Sequence, residues 1–209
     1  EGTPVLLYDG SEKNNQDIHY AVIDIDVGKK DLQQCADAVM RLRAEYLFSQ
    51  KKYDQIHFKF LSGFDFKYSK WRAGYRLNGK LNGWVKKYNT DSSYKSFREY
   101  LNVLFNYANT KSLDSEMKSI DINDLQAGDV FIQGIKTHYN HAVIILDVAK
   151  NKEGEKIFLI AQSYTPAQDI EILIMPGTDS PWHKLGEGNV FETAEWTFYK
   201  NDLKRFSDE

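Results

Sequence analysis

Two apolar runs in the C-terminal half of the chain constrain its fold more than any other feature. They are HAVIILDVA, residues 141 to 149, and IFLIAQSY, residues 157 to 164, and the polar loop KNKEGEK joins them. Apolar runs of this length on either side of a short polar loop are typical of a β-hairpin with buried strands. The sequence therefore predicts an antiparallel hairpin of two core strands.

Weaker patterns predict the elements around this hairpin. Residues 18 to 28 alternate apolar and acidic side chains as a half-buried strand does, and residues 32 to 50 carry an apolar helical stripe behind Asp31 as the predicted N-cap. The predicted stripe consists of Cys35, Val39, Leu42 and Tyr46. The other predicted elements are a hairpin over 55 to 71, a helix over 92 to 110, a strand after the Gly128-Asp129 turn, and strands over 170 to 175 and 195 to 199.

Composition favours one globular α+β domain over residues 1 to 209. The chain has 42% hydrophobic and 27% charged residues, and it contains no repeat or linker that would divide it. Its apolar runs all fall short of the roughly 18 residues that a membrane span needs. The opening EGTPVLLYDG has neither an initiator Met nor a signal-type apolar segment. We therefore expect a mature or trimmed form, from which any export signal peptide would have been removed.

Basic charge is concentrated between residues 51 and 88. That segment holds ten Lys or Arg against two Asp, a net charge of +8, so the remainder carries −11 of the total of −3. The acidic remainder argues against nucleic-acid binding. Ten aromatic residues are interleaved with these basic ones, which is typical either of a cleft for an anionic or glycan-bearing ligand or of a sheet with one apolar face. The cleft candidates here are Trp71, Arg72 and Arg76.

The only cysteine, Cys35, lies in the first turn of the predicted helix. One cysteine can form neither an intrachain disulfide nor a cysteine-built zinc cluster. On an apolar helical face, a cysteine is usually a small buried hydrophobe. At a helix N-terminus, however, unpaired backbone N–H groups and the macrodipole stabilise a thiolate, which is a good nucleophile. Taken alone, the cysteine leaves both interpretations open.

A thiol hydrolase also needs an imidazole that takes up and returns a proton. His141 opens the most apolar strand of the chain, and His138 lies three residues earlier in a predicted loop. We predict His141 as the catalytic base and His138 as a residue of the substrate cleft. The segment HYNH could supply two metal ligands, but no third ligand occurs at a spacing typical of a metal site, so we expect no metal. Thiol-mediated hydrolysis needs no cofactor, and we expect none.

The register of the main hairpin decides which residue orients the histidine. If Ala149 pairs with Lys156, paired residue numbers sum to 305, and Gln162 is the diagonal neighbour of His141 on the same face. With a sum of 303, Gln162 faces His141 directly, whereas an even sum places Ser163 beside His141 instead. We predict Gln162 as the third residue of the site and keep Ser163 as the alternative.

These residues and their order resemble a known enzyme family. A strand, a helix with a cysteine near its start, and then DLQAGDVFIQGIKTHYNHAVIILDVA and IFLIAQSY resemble the NlpC-type branch of the papain-like cysteine hydrolases. In that family a leucine-x-x-glycine-aspartate turn precedes the histidine strand, and a polar residue lies on the next strand. The resemblance implies a papain-like antiparallel sheet packed against the cysteine helix, with Cys35, His141 and Gln162 as catalytic residues.

A closer resemblance covers nearly the whole chain. LQQCADAVMRLRAEYL, GDVFIQG, HAVIILDVA and AQSYTPAQDI together resemble the uncharacterised bacterial family catalogued as domain of unknown function 4846, which implies no established activity. Compared with a compact NlpC-type domain, the 106 residues from Cys35 to His141 are too many, so residues 50 to 115 are predicted to be an aromatic-rich insertion. The usual Asp-Cys-Ser signature is absent, because Gln34 and Ala36 flank the cysteine.

The leading hypothesis is a thiol hydrolase, an amidase or peptidase that acts on a peptide or, by family resemblance, a cell-wall peptide in the bacterial cell envelope. Cys35 is the predicted nucleophile, His141 the base and then the acid, and Gln162 the residue that orients the imidazole. The alternative is a catalytically inactive papain-like module that binds a glycan or anionic ligand through the basic aromatic insertion.

Overall fold

An antiparallel sheet organises the fold, which we describe from a computed structural model for residues 2–134 and 140–207. The strands are β1 (His19–Val22), β2 (His57–Lys59), β3 (Asp65–Lys67), β4 (Tyr75–Leu77), β5 (Trp84–Lys86), β6 (Met117–Ser119), β7 (Val130–Gln133), β8 (His141–Lys150), β9 (Lys156–Gln162), β10 (Glu171–Leu173), β11 (His183–Lys184), β12 (Val190–Glu192), β13 (Thr197–Tyr199) and β14 (Leu203–Phe206).

Eight of these strands form one sheet with the order β1-β10-β9-β8-β7-β14-β6, and β11 pairs with β9 beyond the end of β10. Every strand pair found in it is antiparallel. The strands β12 and β13 form a separate hairpin, as do β2 with β3 and β4 with β5. The coarse prediction of an α+β fold with an antiparallel sheet is therefore confirmed.

Four α-helices accompany the strands in the described part of the chain. They are α1 (Cys35–Ser49), α2 (Tyr68–Arg72), α3 (Tyr94–Tyr107) and α4 (Thr110–Asp114), and short 3-10 helices occur at Tyr53–Gln55, Ile122–Asp124 and Lys200–Asp202. The predicted helix over 92 to 110 is confirmed as α3, and the Ser93 hydroxyl caps it by accepting a hydrogen bond from the Ser96 amide at 3.2 Å.

The first helix begins later than predicted, because Gln34 and not Asp31 is its N-cap. The Asp31 carboxylate instead accepts hydrogen bonds from the Gln34 side chain at 3.0 Å and from the Ala167 amide at 2.7 Å. The stripe prediction is also wrong at its end, since Tyr46 is 61% exposed. Cys35 is thus the first helical residue and lies closer to the helix terminus than the sequence pattern indicated.

Residues 50 to 115 pack onto one face of the sheet and contribute to its core. The predicted hairpin is confirmed by the pairing of Phe58 with Phe66, although residues 68 to 72 are helical. Five of the ten aromatic residues between 51 and 88 are buried. They are Phe58, Phe60, Phe66, Tyr68 and Trp71. Burial of each such side chain contributes about 1.5–3 kcal/mol to the stability of the fold. The main role of these five rings is therefore packing in the core.

The sheet separates two hydrophobic cores, and alternate residues of β8 enter different ones. Ala142 and Ile144 join the core beneath α1 and α3, whereas Val143 and Ile145 join the core on the opposite face. Successive side chains of a strand point to opposite faces. His141, at the first position of β8, consequently lies on the same face as Val143 and Ile145.

The turn before β7 is anchored by a buried ion pair. Gly128 has a φ of +91°, a conformation that favours glycine, and Asp129 follows it with no exposed side-chain surface. The Asp129 carboxylate accepts hydrogen bonds from Arg205 Nε at 2.6 Å and from Arg205 Nη2 at 2.9 Å. This two-point pairing ties the start of β7 to β14, which is its neighbour in the sheet.

The register of the main hairpin changes along its length. Next to the loop, Ala149 pairs with Ile157 and not with Lys156, so paired numbers sum to 306 there. A β-bulge between Ile145 and Asp147 shifts the register, and Ile144 pairs with Ala161 at a sum of 305. The odd sum therefore holds at the end of the sheet that contains His141, and Gln162 lies on the face of that histidine.

Buried His183 generates a prediction about stability. Its ring is 1% exposed, and burial lowers the pKa of His183 from 6.5 to about 4, against the opposing effect of the hydrogen bond to Leu173 O. Between these values the unfolded chain binds a proton that the folded chain excludes. The free energy of unfolding should therefore fall as the pH drops from about 6.5 towards 4, with His183 contributing up to roughly 3 kcal/mol.

Urea unfolding at pH 7 and pH 4.5 checks this expectation. His183→Phe should lose clearly less stability between the two pH values than the unsubstituted protein, because its buried ring cannot titrate. Equal losses in the two proteins would contradict the assignment of this pH dependence to His183.

Candidate active site

Cys35 is held at the end of the sheet by contacts to the residue two positions before it. The Gln33 carbonyl accepts a hydrogen bond from Ser163 Oγ at 2.8 Å, and Gln33 Oε1 accepts one from Arg41 Nη1 at 2.9 Å. Both partners are fully buried. The segment that leads into α1 is therefore fixed on one side by β9 and on the other by the helix itself.

The Cys35 thiol is enclosed but lies at the boundary of two cavities. The residue is 9% exposed, and its sulfur lies 3.9 Å from Thr110 Oγ1. Burial raises the pKa of the thiol, and this effect exceeds the lowering by the Thr110 hydroxyl and by the amides of Ala36 and Ala142. At neutral pH the group is therefore a thiol, and burial opposes the thiolate that the helix N-terminus was expected to stabilise.

His141 and Gln162 are joined by a buried hydrogen bond. His141 Nε2 lies 2.8 Å from Gln162 Oε1, and the two residues are 2% and 1% exposed. Glu171 pairs directly with Gln162 across β9 and β10, so His141, Gln162 and Glu171 form a polar row over three neighbouring strands. The row crosses the sheet at the strand ends where β8 begins and β9 stops.

The orientation of the Gln162 amide follows from its other partners. Gln162 Nε2 donates hydrogen bonds to Glu171 Oε1 at 2.9 Å and to Glu195 Oε2 at 2.6 Å. An ionised carboxylate only accepts, so the amide nitrogen must face the two glutamates and the amide oxygen must face His141. His141 Nε2 therefore carries the proton. Its Nδ1 atom keeps a lone pair and can act as a base.

Aromatic rings surround the imidazole and keep it neutral. The ring centroid of His141 lies 5.0 Å from those of Tyr164 and Trp196 and 6.0 Å from that of Phe198. Burial lowers the pKa of His141 to about 4, although the hydrogen bond to Gln162 and the charge of Glu195 favour protonation. The imidazole is thus neutral and unprotonated at Nδ1 at neutral pH.

Cys35 and His141 line the same cavity, which has a volume of about 180 Å³. Its other lining residues are Asn140, Tyr164, Thr165 and Trp196. A second cavity of about 220 Å³ lies on the other side of Cys35, between the start of α1 and the start of α4. The hydrogen bonds among the described residues include none between the thiol and the imidazole, and the sulfur contacts Thr110 Oγ1.

The remaining predicted site residues lie elsewhere. Ser163 faces the core beneath α1, where its hydroxyl donates to backbone carbonyls and not to His141. Trp71, Arg72 and Arg76 line neither cavity at Cys35. The guanidinium of Arg76 instead covers the Trp71 ring at 3.7 Å, and that of Arg72 covers the Tyr53 ring at 4.8 Å. His138 lies outside the described residues, and the cleft assignments remain predictions.

Four contributors to the site were missed by the sequence patterns. They are Thr110, Lys13, Glu171 and Glu195. A signal existed for two of them, since Glu171 and Glu195 lie at the starts of segments predicted as strands. Lys13 and Thr110 carried none, because neither lies near a catalytic candidate along the chain.

Residues 2–134 and 140–207 contain neither a metal-binding cluster nor a membrane-spanning helix. There, no group of three or more His, Cys, Asp or Glu side chains is placed to hold a metal ion. None of the helices in that part of the chain combines the length and apolarity needed to cross a membrane.

Comparison with known proteins identified a family to which the chain belongs. The model of the family described as "Domain of unknown function (4846)" matches residues 1–205. No curated protein and no solved structure matches the chain significantly.

The thiol environment yields a prediction for alkylation. Because burial raises the thiol pKa, the rate of Cys35 alkylation by iodoacetamide should rise with a midpoint above the ordinary pKa of 9.0. Thr110→Val removes a hydroxyl that lowers this pKa and should move the midpoint higher still. The rate is measured by mass spectrometry over a pH series.

Thr165→Val is the matched control, since Thr165 lines the shared cavity without bonding to the sulfur. Its midpoint should equal that of the unsubstituted protein. A midpoint below the ordinary value, or no change in Thr110→Val, would show that burial and Thr110 do not set the thiol pKa.

Proposed function

The chain belongs to the family described as domain of unknown function 4846, and we propose from its site that it is a thiol hydrolase that cleaves amide bonds. Cys35 is the nucleophile, His141 the general base and then the general acid, and Gln162 the residue that orients the imidazole. These are the roles that a cysteine, a histidine and a polar third residue take in amide hydrolysis.

One observation carries the proposal. The two carboxylates behind Gln162 force its amide oxygen towards His141, so the imidazole presents an unprotonated Nδ1, and the ring borders the cavity that also contains Cys35. A base beside a nucleophile needs this tautomer, because only the ring nitrogen with a lone pair can take up the thiol proton.

The proposed reaction starts from a neutral pair and not from a thiolate and an imidazolium. A substrate that enters the cavities displaces the thiol from Thr110, and the sulfur attacks the carbonyl carbon while its proton passes to His141 Nδ1. The Cys35 backbone N–H, at the first helical position, has no intrahelical acceptor and can donate to the developing oxyanion.

His141 then returns the proton to the leaving amine as the carbon–nitrogen bond breaks, which leaves a thioester on Cys35. Water attacks that thioester and loses a proton to His141 Nδ1. The carbon–sulfur bond breaks, the carboxylic acid product forms, and the proton returns to the sulfur. Atoms and charge balance without a cofactor.

The two cavities at Cys35 support an extended substrate. The cavities that Cys35 lines have volumes of about 180 Å³ and about 220 Å³. Each cavity can accept one small side chain of an extended substrate that passes over the cysteine. A peptide satisfies this requirement because its amide bond lies between two side chains. A cell-wall peptide is the proposed member of this class by resemblance to the NlpC-type hydrolases.

A papain-like arrangement of elements is part of the same proposal. In its support, α1 carries the cysteine at its first position and packs on β8 and β9. His141 lies on β8 and Gln162 on the next strand, in the order that the NlpC-type pattern requires.

Turnover by active-site variants tests the proposed roles. Cys35→Ala should abolish release of products from cell-wall peptides and peptide amides, and His141→Gln should lower kcat/KM by about 10²–10⁴-fold, because acid–base catalysis is lost. Products are quantified by mass spectrometry.

His19→Gln is the matched control, since the ring of His19 contacts Thr3 O at 3.0 Å and His19 lines neither cavity at Cys35. It should retain full activity. Turnover that survives in Cys35→Ala, or an equal loss in both histidine variants, would refute the assigned roles.

The pH dependence of kcat/KM gives a second test. The active form has a neutral His141, and burial lowers its pKa to about 4, so activity should persist well below pH 6 and disappear as the pH falls through about 4. Below that value Nδ1 is protonated and cannot accept the thiol proton. An acid limb near pH 6.5, the ordinary value for histidine, would contradict a buried neutral base.

A further inference from the structure

We propose that Lys13 is a positioning residue that sets the tautomer of His141 through the amide of Gln162. Its consequence for catalysis rests on the proposed function, whereas its effect on the tautomer does not. Lys13 belongs to the N-terminal segment, 158 residues from Glu171 along the chain. No residue before Cys35 has a role in the reaction as derived above.

Lys13 and Gln162 share two acceptor atoms. Lys13 Nζ lies 2.6 Å from Glu171 Oε1 and 2.8 Å from Glu195 Oε2. Gln162 Nε2 donates to the same two oxygens, at 2.9 and 2.6 Å. The two nitrogens and two oxygens thus alternate around a closed ring, in which the ammonium lies opposite the amide.

Burial makes this ring sensitive to charge. Glu171 has no exposed side-chain surface, Lys13 is 8% exposed and Glu195 is 17% exposed. Two carboxylates that bind the same amide nitrogen repel each other, and a low-dielectric site strengthens that repulsion. The Lys13 ammonium between them offsets it. Because an ammonium only donates, the two oxygens that face Lys13 must act as acceptors.

Removal of the Lys13 ammonium changes which hydrogen bonds the two carboxyl groups can make. Without it, one of the two carboxyl groups is expected to take up a proton, as happens when two carboxylates share a site without a cation. A protonated carboxyl group donates a hydrogen bond. It can therefore bind the amide oxygen of Gln162 if that amide group flips, so that its oxygen and nitrogen exchange places.

The turned amide would reverse the hydrogen bond to the imidazole. Gln162 Nε2 would then donate to His141 Nε2, and the ring proton would move to Nδ1. The nitrogen that serves as base in the proposed reaction would lose its lone pair. The charge of Lys13 thus controls whether His141 can accept a proton.

The backbone holds Lys13 in place for this role. The Lys13 amide donates to Val5 O at 3.0 Å, and its carbonyl accepts from Gln16 Nε2 at 2.8 Å. Gln16 also bonds to Val5 through its amide group. The N-terminal segment consequently presents one fixed ammonium to the carboxylates instead of a mobile surface lysine.

The test is the tautomer of His141 in the full-length protein, read by ¹⁵N NMR of histidine-labelled samples at pH 7. The His141→Gln variant identifies the resonances. The unsubstituted protein should show a protonated Nε2 and an unprotonated Nδ1. Lys13→Met, which keeps the length of the side chain but removes its charge, should move at least half of the population to the Nδ1-protonated form. Lys13→Arg should keep the original form.

Kinetics give the catalytic consequence. Lys13→Met should lower kcat with little change in KM, by about the 10–100-fold that loss of an orienting hydrogen-bond partner costs at metal-bound histidines. Lys13→Arg should restore most of the activity. A loss through misfolding would instead alter the resonances of all histidines and would not be rescued by arginine.

The outcomes separate this inference from the proposed function. An unchanged tautomer in folded Lys13→Met overturns the role of Lys13, even if Cys35-dependent turnover is confirmed. A shifted tautomer supports it, even if no amide substrate is cleaved. If Lys13→Met does not fold, Lys13→Gln decides, because it also removes the charge and should produce the same shift, whereas an unchanged tautomer overturns the proposal.

Discussion

The hydrogen bond from His141 Nε2 to Gln162 Oε1 is the interaction on which the candidate site depends. It is 2.8 Å long, it is buried, and its polarity is fixed by the two glutamates that accept from the amide nitrogen of Gln162. Without that polarity the ring nitrogen available to Cys35 would be undefined. Several buried polar groups thus fix the proton position of one imidazole, and within the described residues Glu171 Oε2 is the atom of this network that has no hydrogen-bond partner.

The fold brings these groups together from distant parts of the sequence. β8, β9 and β10 supply the polar row, α1 supplies the thiol, and the N-terminal segment supplies the ammonium. The β-bulge near Leu146 contributes directly to the placement of Gln162. It changes the sum of paired residue numbers in the β8–β9 hairpin from 306 beside the loop to 305 beside the site. A hairpin without this shift would place Ser163, and not Gln162, on the face of His141. Bulges commonly redirect side chains next to functional sites in this way.

Sequence patterns predicted the local elements well and the long-range contacts poorly. The main hairpin, α3 and a helix that starts near Cys35 follow from periodicity within short windows. The bulge does not, because a uniform apolar strand contains no mark of an extra residue. The thiol environment was also unpredictable, since Thr110 and α4 bury the sulfur from outside the helix, and burial then outweighs the helix terminus. The contact of Lys13 with Glu171 spans most of the chain and has no local signature.

Acylation of the sulfur shows whether Cys35 performs covalent chemistry with His141 as its base, as proposed. In a rapid-quench experiment with p-nitrophenyl acetate, the thiol attacks the ester, p-nitrophenol leaves, and an acetyl group remains on Cys35. We expect one acetyl group per chain on Cys35 of the unsubstituted protein and strongly slowed labelling in His141→Gln. Acetylation at equal rates in both proteins, or on lysines alone, would contradict it.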